Sequence, residues 1–158
     1  MSNRLGGGPT RAERLPGTEY DDDTFLYFLN IEWARAERSN RPLRLLFATM
    51  ESPPGRAVPI PLESATRLFR GLRLGLRETD VMGWYRQGLV ASAVLIGGDE
   101  AFGADMSNVI EQRVADGLRQ RLPSRVNRSL KVRVVQLEPR LLAMDWSRTN
   151  DLQCHSCR

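Results

Sequence analysis

The segment 77–95 places the strongest constraint on how this chain folds. It holds two short runs of apolar and aromatic residues, at 81–85 and 89–95, separated by a three-residue link that ends in Gly88. Two β-forming runs joined by a short link with a glycine predict a β-hairpin, and Gly88 supplies the positive φ that such a turn needs. Long amphipathic stretches precede and follow it. We therefore expect the hairpin at the centre of a sheet covered by helices.

Apolar residues recur at helical spacing in three further segments, which are predicted to be amphipathic helices. The first begins at three aspartates, 21–23, that suit a helix N-terminus, and it ends near residue 40. The other two span 62–76 and about 105–122, with Leu62 and Val109 among their predicted core residues. The apolar stripe of the first helix contains Phe25, Phe28, Leu29, Trp33 and Ala36.

Two more segments have the pattern of strands. The nearly continuous apolar run at 43–50 predicts a strand buried on both faces, and the alternation at 130–137 predicts a strand with one solvated face. The prolines at 52–61 indicate a loop between the first of these strands and the second predicted helix. The order helix, strand, helix, strand, strand, helix, strand predicts an α/β fold of the α+β sandwich type, with a mostly antiparallel sheet and helices packed on it.

Composition predicts one domain with two irregular ends. A chain of 158 residues is long enough to bury a core without disulfides or metals. Residues 1–19, rich in glycine, proline and arginine, are predicted to be a flexible leader; 20–139 form the domain, and 140–158 form a tail. No apolar run reaches the length of a membrane span and no secretory signal begins the chain, so we expect a cytoplasmic protein.

The basic charge is nearly all arginine. The net charge is +4, and Lys131 is the single lysine. Arginine suits bidentate contacts to phosphate or carboxylate, so a phosphorylated ligand is one interpretation. Arginines also alternate with acids along the first and third predicted helices, which is typical of exposed helix surfaces and not of a nucleic-acid-binding stripe. We expect no nucleic-acid partner.

The cysteines do not predict a metal centre. Cys154 and Cys157 flank His155, the only histidine, in the last five residues. A structural zinc site usually takes four ligands at finger-like spacing, so a polar tail is the simpler interpretation. With its histidine in the tail, the chain offers no credible hydrolase arrangement. We expect no metal and no cofactor.

Several local features resemble the GGDEF, or diguanylate cyclase, family over about residues 25–139. Arg77-Glu-Thr-Asp80 is similar to the family's Arg-x-x-Asp motif at its usual distance before the hairpin, and Tyr85 falls where the family often has a tyrosine. Arg41-Pro42-Leu43 resembles the family's entry to its first strand. The resemblance implies the family's fold. It also implies that Arg77 and Asp80 bind cyclic di-GMP, the arginine through phosphate or a guanine edge and the aspartate through guanine N–H groups.

The family's signature is missing. In active cyclases, paired glycines let the backbone approach the nucleotide, and acidic residues serve metal and base chemistry. Thr49 stands where the family has a metal-binding aspartate, with Glu51 two residues on. Two-metal phosphoryl transfer needs closely spaced carboxylates, so the resemblance implies a protein that is not an enzyme. The five signature positions hold Arg86, Gln87, Gly88, Leu89 and Val90.

The literal string Gly97-Gly98-Asp99-Glu100 lies elsewhere, in the loop between the second hairpin strand and the third helix. Treating it as the active site would lose the spacing of the Arg77–Asp80 motif to the hairpin. We interpret Asp99 and Glu100 as negative charge near a helix N-terminus.

Three functions stay open. The first is a catalytically inactive regulatory domain, since residues 77–85 are also similar to degenerate GGDEF-like proteins encoded with bacterial exopolysaccharide and sugar-transferase genes. The second is a residual nucleotide-processing enzyme that uses Glu51, Asp99 or Glu100. The third is an interaction module without a nucleotide, whose first helix is a partner or homodimer face built from Phe25, Phe28 and Trp33. Under a purely structural interpretation, Asp80 caps the turn into the strand and Arg77 is a surface residue at a helix end.

Overall fold

The computed structural model describes residues 19–97 and 104–139. Outside this part lie the predicted leader except Glu19, the tail with its cysteines, and residues 98–103, which include Gly98, Asp99 and Glu100 of the literal string. In chain order the elements are α1 (Asp22–Ser39), β1 (Leu43–Ser52), β2 (Arg56–Val58), α2 (Leu62–Gly75), β3 (Val81–Arg86), β4 (Val90–Leu95), α3 (Ala104–Arg119), α4 (Ser124–Asn127) and β5 (Leu130–Leu137).

This order confirms the predicted α+β sandwich and adds two short elements. The loop predicted at 52–61 contains β2, because a turn at Gly55 (φ +100°) returns the chain so that Ser52 pairs with Arg56. The third helix stops at Arg119, earlier than predicted, and the turn of α4 follows Pro123. Proline suits the start of a helix and not its interior, so the chain breaks and restarts there.

β1 is the central strand of the five-stranded sheet. It pairs antiparallel with β4 over 44–49, with β5 over 43–50 and with β2 over 50–52. The predicted hairpin is present, but only β4 is interior, and β3 pairs with β4 alone among the named strands. The prediction that the hairpin lies at the centre of the sheet is thus wrong by one strand. The central strand is β1, whose continuous apolar run at 43–50 is buried on both faces.

Helices cover both faces of the sheet. α1 packs Phe25 and Leu29 on one face, against a cluster that includes Leu45 and Val94. α2 and α3 pack on the other face, where Leu72 and Leu118 are 0% exposed. Side chains of successive β1 residues therefore enter opposite cores, which confirms the prediction of a strand buried on both faces.

The first helix confirms its predicted ends but not its predicted partner face. Its N-cap is Asp21, and Asn40 ends it in the left-handed region at φ 51°. Phe25 and Phe28 are 0% and 8% exposed because they pack in the apolar cluster between α1 and the sheet. The prediction that they form a partner or homodimer face is therefore wrong. Trp33 is half-buried against the same core.

Two predicted core residues are exposed. Leu62 begins α2 before the helix meets the sheet, and it is 85% exposed. Val109 is 58% exposed because Val114 and Leu118, with half-buried Ile110, define the buried side of α3, and position 109 lies on the other side of the helix.

Two of the edge strands, β3 and β5, have a hydrogen-bonded contact to their backbone on the outer edge. Beside β3, the Tyr20 N–H donates to Met82 O at 3.1 Å, and the Trp84 N–H donates to Tyr20 O at 2.8 Å. Beside β5, the Val134 N–H donates to Oε2 of Glu111 on α3 at 3.0 Å. Such contacts occupy groups that would otherwise pair with another chain.

Across the part of the chain that the structure describes, no helix combines the length and apolar character that crossing a bilayer requires.

Candidate ligand-binding site

A cavity of about 520 Å³ opens where β1 begins, β4 ends and the α2–β3 turn passes between them. The C-terminal half of α1 and one side of α3 complete its wall. Antiparallel pairing places the start of β1 next to the end of β4, as in the Arg44–Leu95 pair. Both predicted ligand-binding residues, Arg77 and Asp80, line this cavity.

Asp80 closes the α2–β3 turn and fastens it to the end of β4. Its Oδ2 accepts the Arg77 N–H at 2.9 Å, and its Oδ1 accepts the Ile96 N–H at 2.9 Å. The Asp80 N–H in turn donates to Arg77 O at 3.0 Å. Both carboxylate oxygens therefore bind backbone, as the structural interpretation of the motif predicts. Each oxygen keeps a further lone pair for a ligand.

The pKa of Asp80 is raised above its ordinary value, chiefly because burial penalises the ionised carboxylate. The two backbone N–H donors and the positive charges of Arg77 and Arg113 oppose this shift. The Asp80 carboxylate is thus partly shielded from water and lies near the guanidinium groups of Arg77 and Arg113.

Arginine dominates the charge of the cavity wall. Among the described residues, five arginines line it, from α1 (Arg35), the α1–β1 connection (Arg41), β1 (Arg44), the α2–β3 turn (Arg77) and α3 (Arg113), against two carboxylates, Glu32 and Asp80. Two of these side chains, those of Arg35 and Arg44, have hydrogen-bond partners in the scaffold. The Arg35 guanidinium pairs with buried Glu32 at 2.5 Å, and buried Arg44 donates from Nε to Gln136 Oε1 at 3.2 Å.

Arg77 and Arg113 differ from those arginines. Both are exposed, and neither guanidinium donates a hydrogen bond to any residue within 19–97 or 104–139. They stand on separate elements, the α2–β3 turn and α3, at the same cavity. Two guanidinium groups that donate no hydrogen bond within the described residues, beside a partly desolvated carboxylate, suit an anion that also carries N–H donors.

The residues at the family's signature positions lie at the other end of the hairpin from this cavity. Gly88 adopts φ +71°, which confirms its predicted role, and the Leu89 N–H donates to Arg86 O at 3.0 Å. β4 begins at Val90, one residue later than predicted.

Neighbouring segments hold this turn in place. The Gly88 carbonyl accepts the Ile60 N–H at 2.8 Å, and the Gln87 N–H donates to Oδ2 of Asp22 at 3.4 Å. The turn is thus tied to the N-terminus of α1 and to the segment before α2.

The residues proposed for a metal-dependent enzyme do not form a cluster in the described part. Thr49 pairs with Val90 and Lys131 within the sheet, and Glu51 pairs with Ala57. Among residues 19–97 and 104–139, no three histidine, cysteine or acidic side chains are close enough to hold a metal ion. Asp99 and Glu100 lie outside those ranges.

Sequence reasoning missed Arg113. Its alternation with Glu111 and Asp116 predicted an ordinary exposed helix surface, which is also its appearance along α3. The abundance of arginine was the available signal. Only the packing of α3 beside the α2–β3 turn brings this guanidinium to Arg77 and Asp80.

No family model matches the chain, and no curated protein matches it significantly. Solved structures do. A DGC protein from Thermotoga maritima aligns with a TM-score of 0.54 at 19% identity, over 76% of this chain and 81% of that one. The FimX GGDEF domain from Pseudomonas aeruginosa aligns with a TM-score of 0.59 at 15% identity, over 94% and 91%. The GGDEF domain of TpbB (YfiN) from the same organism gives 0.56 at 16% identity, over 90% and 88%. The chain therefore has the fold of a GGDEF domain.

Proposed function

We propose that this protein is a catalytically inactive regulatory domain with a GGDEF fold that binds cyclic di-GMP in the arginine-lined cavity. The single observation that carries the proposal is the meeting of Arg77, Asp80 and Arg113 at one cavity. Its volume, about 520 Å³, falls within the range of small-molecule sites, roughly 300–1,000 Å³.

The chemistry of the cavity supports a cyclic dinucleotide. Such a ligand carries two phosphates and two guanine edges, which need guanidinium donors and a carboxylate acceptor. Arg77 and Arg113 offer bidentate donors from two sides, and the remaining lone pairs of Asp80 can accept from guanine N–H groups. The excess of arginine over carboxylate in the wall favours an anionic ligand.

The hairpin turn supports the lack of catalysis. Phosphoryl transfer with two metals needs closely spaced carboxylates, which the resembling family carries on this turn and on the first strand. This turn holds arginine, glutamine and glycine, and its backbone is bonded to Ile60 and Asp22. Thr49 has no carboxylate to contribute.

The output we propose is protein contact in bacterial exopolysaccharide production. The support is the similarity of residues 77–85 to degenerate GGDEF-like proteins encoded with such genes. A domain that catalyses no reaction can act only through binding. Binding of the nucleotide would therefore change the affinity of the domain for a partner protein.

Calorimetric titration with cyclic di-GMP tests the ligand. We expect saturable binding to the unaltered protein and a loss of roughly tenfold or more in affinity for Arg77→Ala and for Arg113→Ala, because each change removes charge-assisted hydrogen bonds. Arg73→Ala is the matched control, since Arg73 is an exposed arginine of α2 that does not line the cavity. Absence of binding, or an equal loss in the control, would refute the nucleotide site.

Incubation with GTP and Mg²⁺ or Mn²⁺, followed by chromatography, tests the lack of catalysis. We expect no cyclic di-GMP. Product that disappears in Glu51→Gln would overturn the proposal in favour of a residual cyclase.

A further inference from the structure

A second concave surface lies between α2 and α3, next to the nucleotide cavity. This α2–α3 groove has a volume of about 360 Å³ and is lined by Leu74, Leu76, Arg77, Arg113, Arg121 and glycines 71, 75 and 117. The charged residues that line it within the described ranges are all arginines, whereas the cavity also contains Glu32 and Asp80. Leu74, 64% exposed, adds an apolar contact point at its rim.

The groove and the cavity share three lining residues, Leu76, Arg77 and Arg113. Arg77 and Arg113 line both, whereas Arg121 lines the groove alone. Each guanidinium has a fixed number of donors, so a carboxylate bound from the groove side and a phosphate bound from the cavity side draw on the same groups. Occupants of the two sites are therefore coupled.

Packing explains one of the glycines but not the others. A Cβ at Gly71 would lie 2.6 Å from Leu118 Cδ2, so helix contact requires glycine there. At Gly75 the nearest atom would be 3.5 Å away, and at Gly117 it would be 3.9 Å away, which are ordinary contact distances. Glycine weakens a helix relative to alanine, so Gly117 costs α3 some stability that no close contact explains, and it lines the groove.

The lining favours a peptide over other anions. A bilayer surface is flat and cannot reach the floor of a groove between two helices. Nucleic acids usually stack bases on aromatic side chains, and none of the aromatic residues in 19–97 and 104–139 lines the groove. Guanidinium groups beside an exposed leucine match a segment with carboxylates and an apolar side chain.

We propose that the α2–α3 groove docks an acidic segment of a partner protein, and that this segment and cyclic di-GMP exclude each other because both require Arg77 and Arg113. The proposed docking depends only on the groove. The proposed exclusion also depends on the proposed nucleotide site, and through it nucleotide binding would release the partner protein.

Fluorescence anisotropy with a short labelled peptide of glutamates interspersed with leucine tests the docking. Arg121→Ala is expected to weaken the peptide roughly tenfold, through the loss of charge-assisted bonds, without changing the calorimetric affinity for cyclic di-GMP. Gly117→Ala is expected to weaken the peptide while raising the melting temperature, which a merely structural role for Gly117 would not produce. A peptide with glutamine in place of glutamate and the Arg73→Ala variant are the controls.

Competition separates the two proposals. Peptide release by cyclic di-GMP, together with loss of both ligands in Arg77→Ala, supports exclusion. Nucleotide binding with a peptide affinity that ignores Arg121→Ala overturns the groove and leaves the nucleotide site intact. Arg121-dependent peptide binding without nucleotide binding overturns the nucleotide site and the exclusion, while the docking stands. Stronger Arg121-dependent binding to an oligonucleotide or to anionic phosphatidylglycerol vesicles overturns the choice of a peptide.

Discussion

Replacing Asp80 with alanine removes the side chain that joins the α2–β3 turn to the end of β4. Two backbone donors lose their acceptor, the Arg77 N–H, which is exposed, and the Ile96 N–H, which is partly buried. The Arg77 N–H can turn to water, whereas the Ile96 N–H has less access to it. The variant therefore tests whether Asp80 is a structural residue as well as a candidate ligand residue.

The expected loss follows from these two bonds. Hydrogen bonds to a charged group contribute about 1.5–3 kcal/mol each. The raised pKa of Asp80 shows that burial of its charge offsets part of this gain, so the lower end applies. For two bonds we expect the free energy of unfolding to fall by about 3 kcal/mol. With a urea m-value of about 2 kcal/mol/M, the midpoint falls by about 1.5 M.

Urea unfolding followed by circular dichroism measures this loss at pH 7. Glu78→Ala is the matched control, because Glu78 is an exposed acid of the same turn with no hydrogen bond from its side chain to another described residue. A midpoint for Asp80→Ala that equals the control would refute the structural role of the carboxylate.

The pH dependence has a definite sign. The folded pKa of Asp80 lies above its ordinary value of 3.8, so the folded state holds this proton more tightly than the unfolded state. The group's contribution to stability is therefore smallest at neutral pH and grows as the pH falls through the folded pKa towards 3.8. The advantage of the unaltered protein over Asp80→Ala should widen across that window. An advantage that shrinks would contradict the assignment of burial as the dominant cause.

Three further changes test the scaffold. Gly83→Ala places a Cβ 2.6 Å from Tyr20 O, so we expect the bridge beside β3 to break and the unfolding free energy to drop by about 1–3 kcal/mol in urea. Glu111→Ala removes the acceptor of the Val134 N–H, and we expect aggregation, followed by light scattering, to begin at a lower temperature. Hydrogen bonds from Thr24 lower the pKa of Asp21, so the ionised carboxylate stabilises the folded state. Asp21→Ala should therefore reduce the melting temperature near pH 7 and have little effect well below pH 3.8.

Neighbouring exposed residues provide the controls for two of these changes. Gln112→Ala on α3 should leave aggregation unaltered, and Asp23→Asn in the first turn of α1 should lower the melting temperature at pH 7 less than Asp21→Ala does. A Gly83→Ala variant as stable as the unaltered protein would contradict the close approach of Tyr20.

Local chemistry made much of the fold predictable. The turn at Gly88 follows from the need for a positive φ, and the two-faced burial of β1 follows from its unbroken apolar run. The end of α1 at Asn40 also follows from local signals. Such features depend on a few neighbouring residues, so a single sequence is enough to find them.

Long-range packing decided what the sequence did not predict. β2 lies among prolines that normally indicate a loop, and it forms because the end of β1 offers it a partner. The Asp80 to Ile96 bond joins a turn to a strand end 16 residues later, and no periodicity signals it. Arg113 becomes a site residue only because α3 packs beside the α2–β3 turn, while its charge pattern along the helix is that of any exposed surface.

The central position of β1 also governs how the nascent chain can fold. β1 emerges early in synthesis, yet its two long neighbours, β4 and β5, come from residue 90 onward. Such pairings form slowly, because a long loop must close, at a cost in chain entropy, before the stabilising contacts between the strands can form. Until β5 has left the ribosome, β1 exposes one edge and part of two apolar faces. The sheet is therefore completed only when nearly the whole domain has been made, and a chain truncated before Leu130 would present its most hydrophobic strand to other proteins.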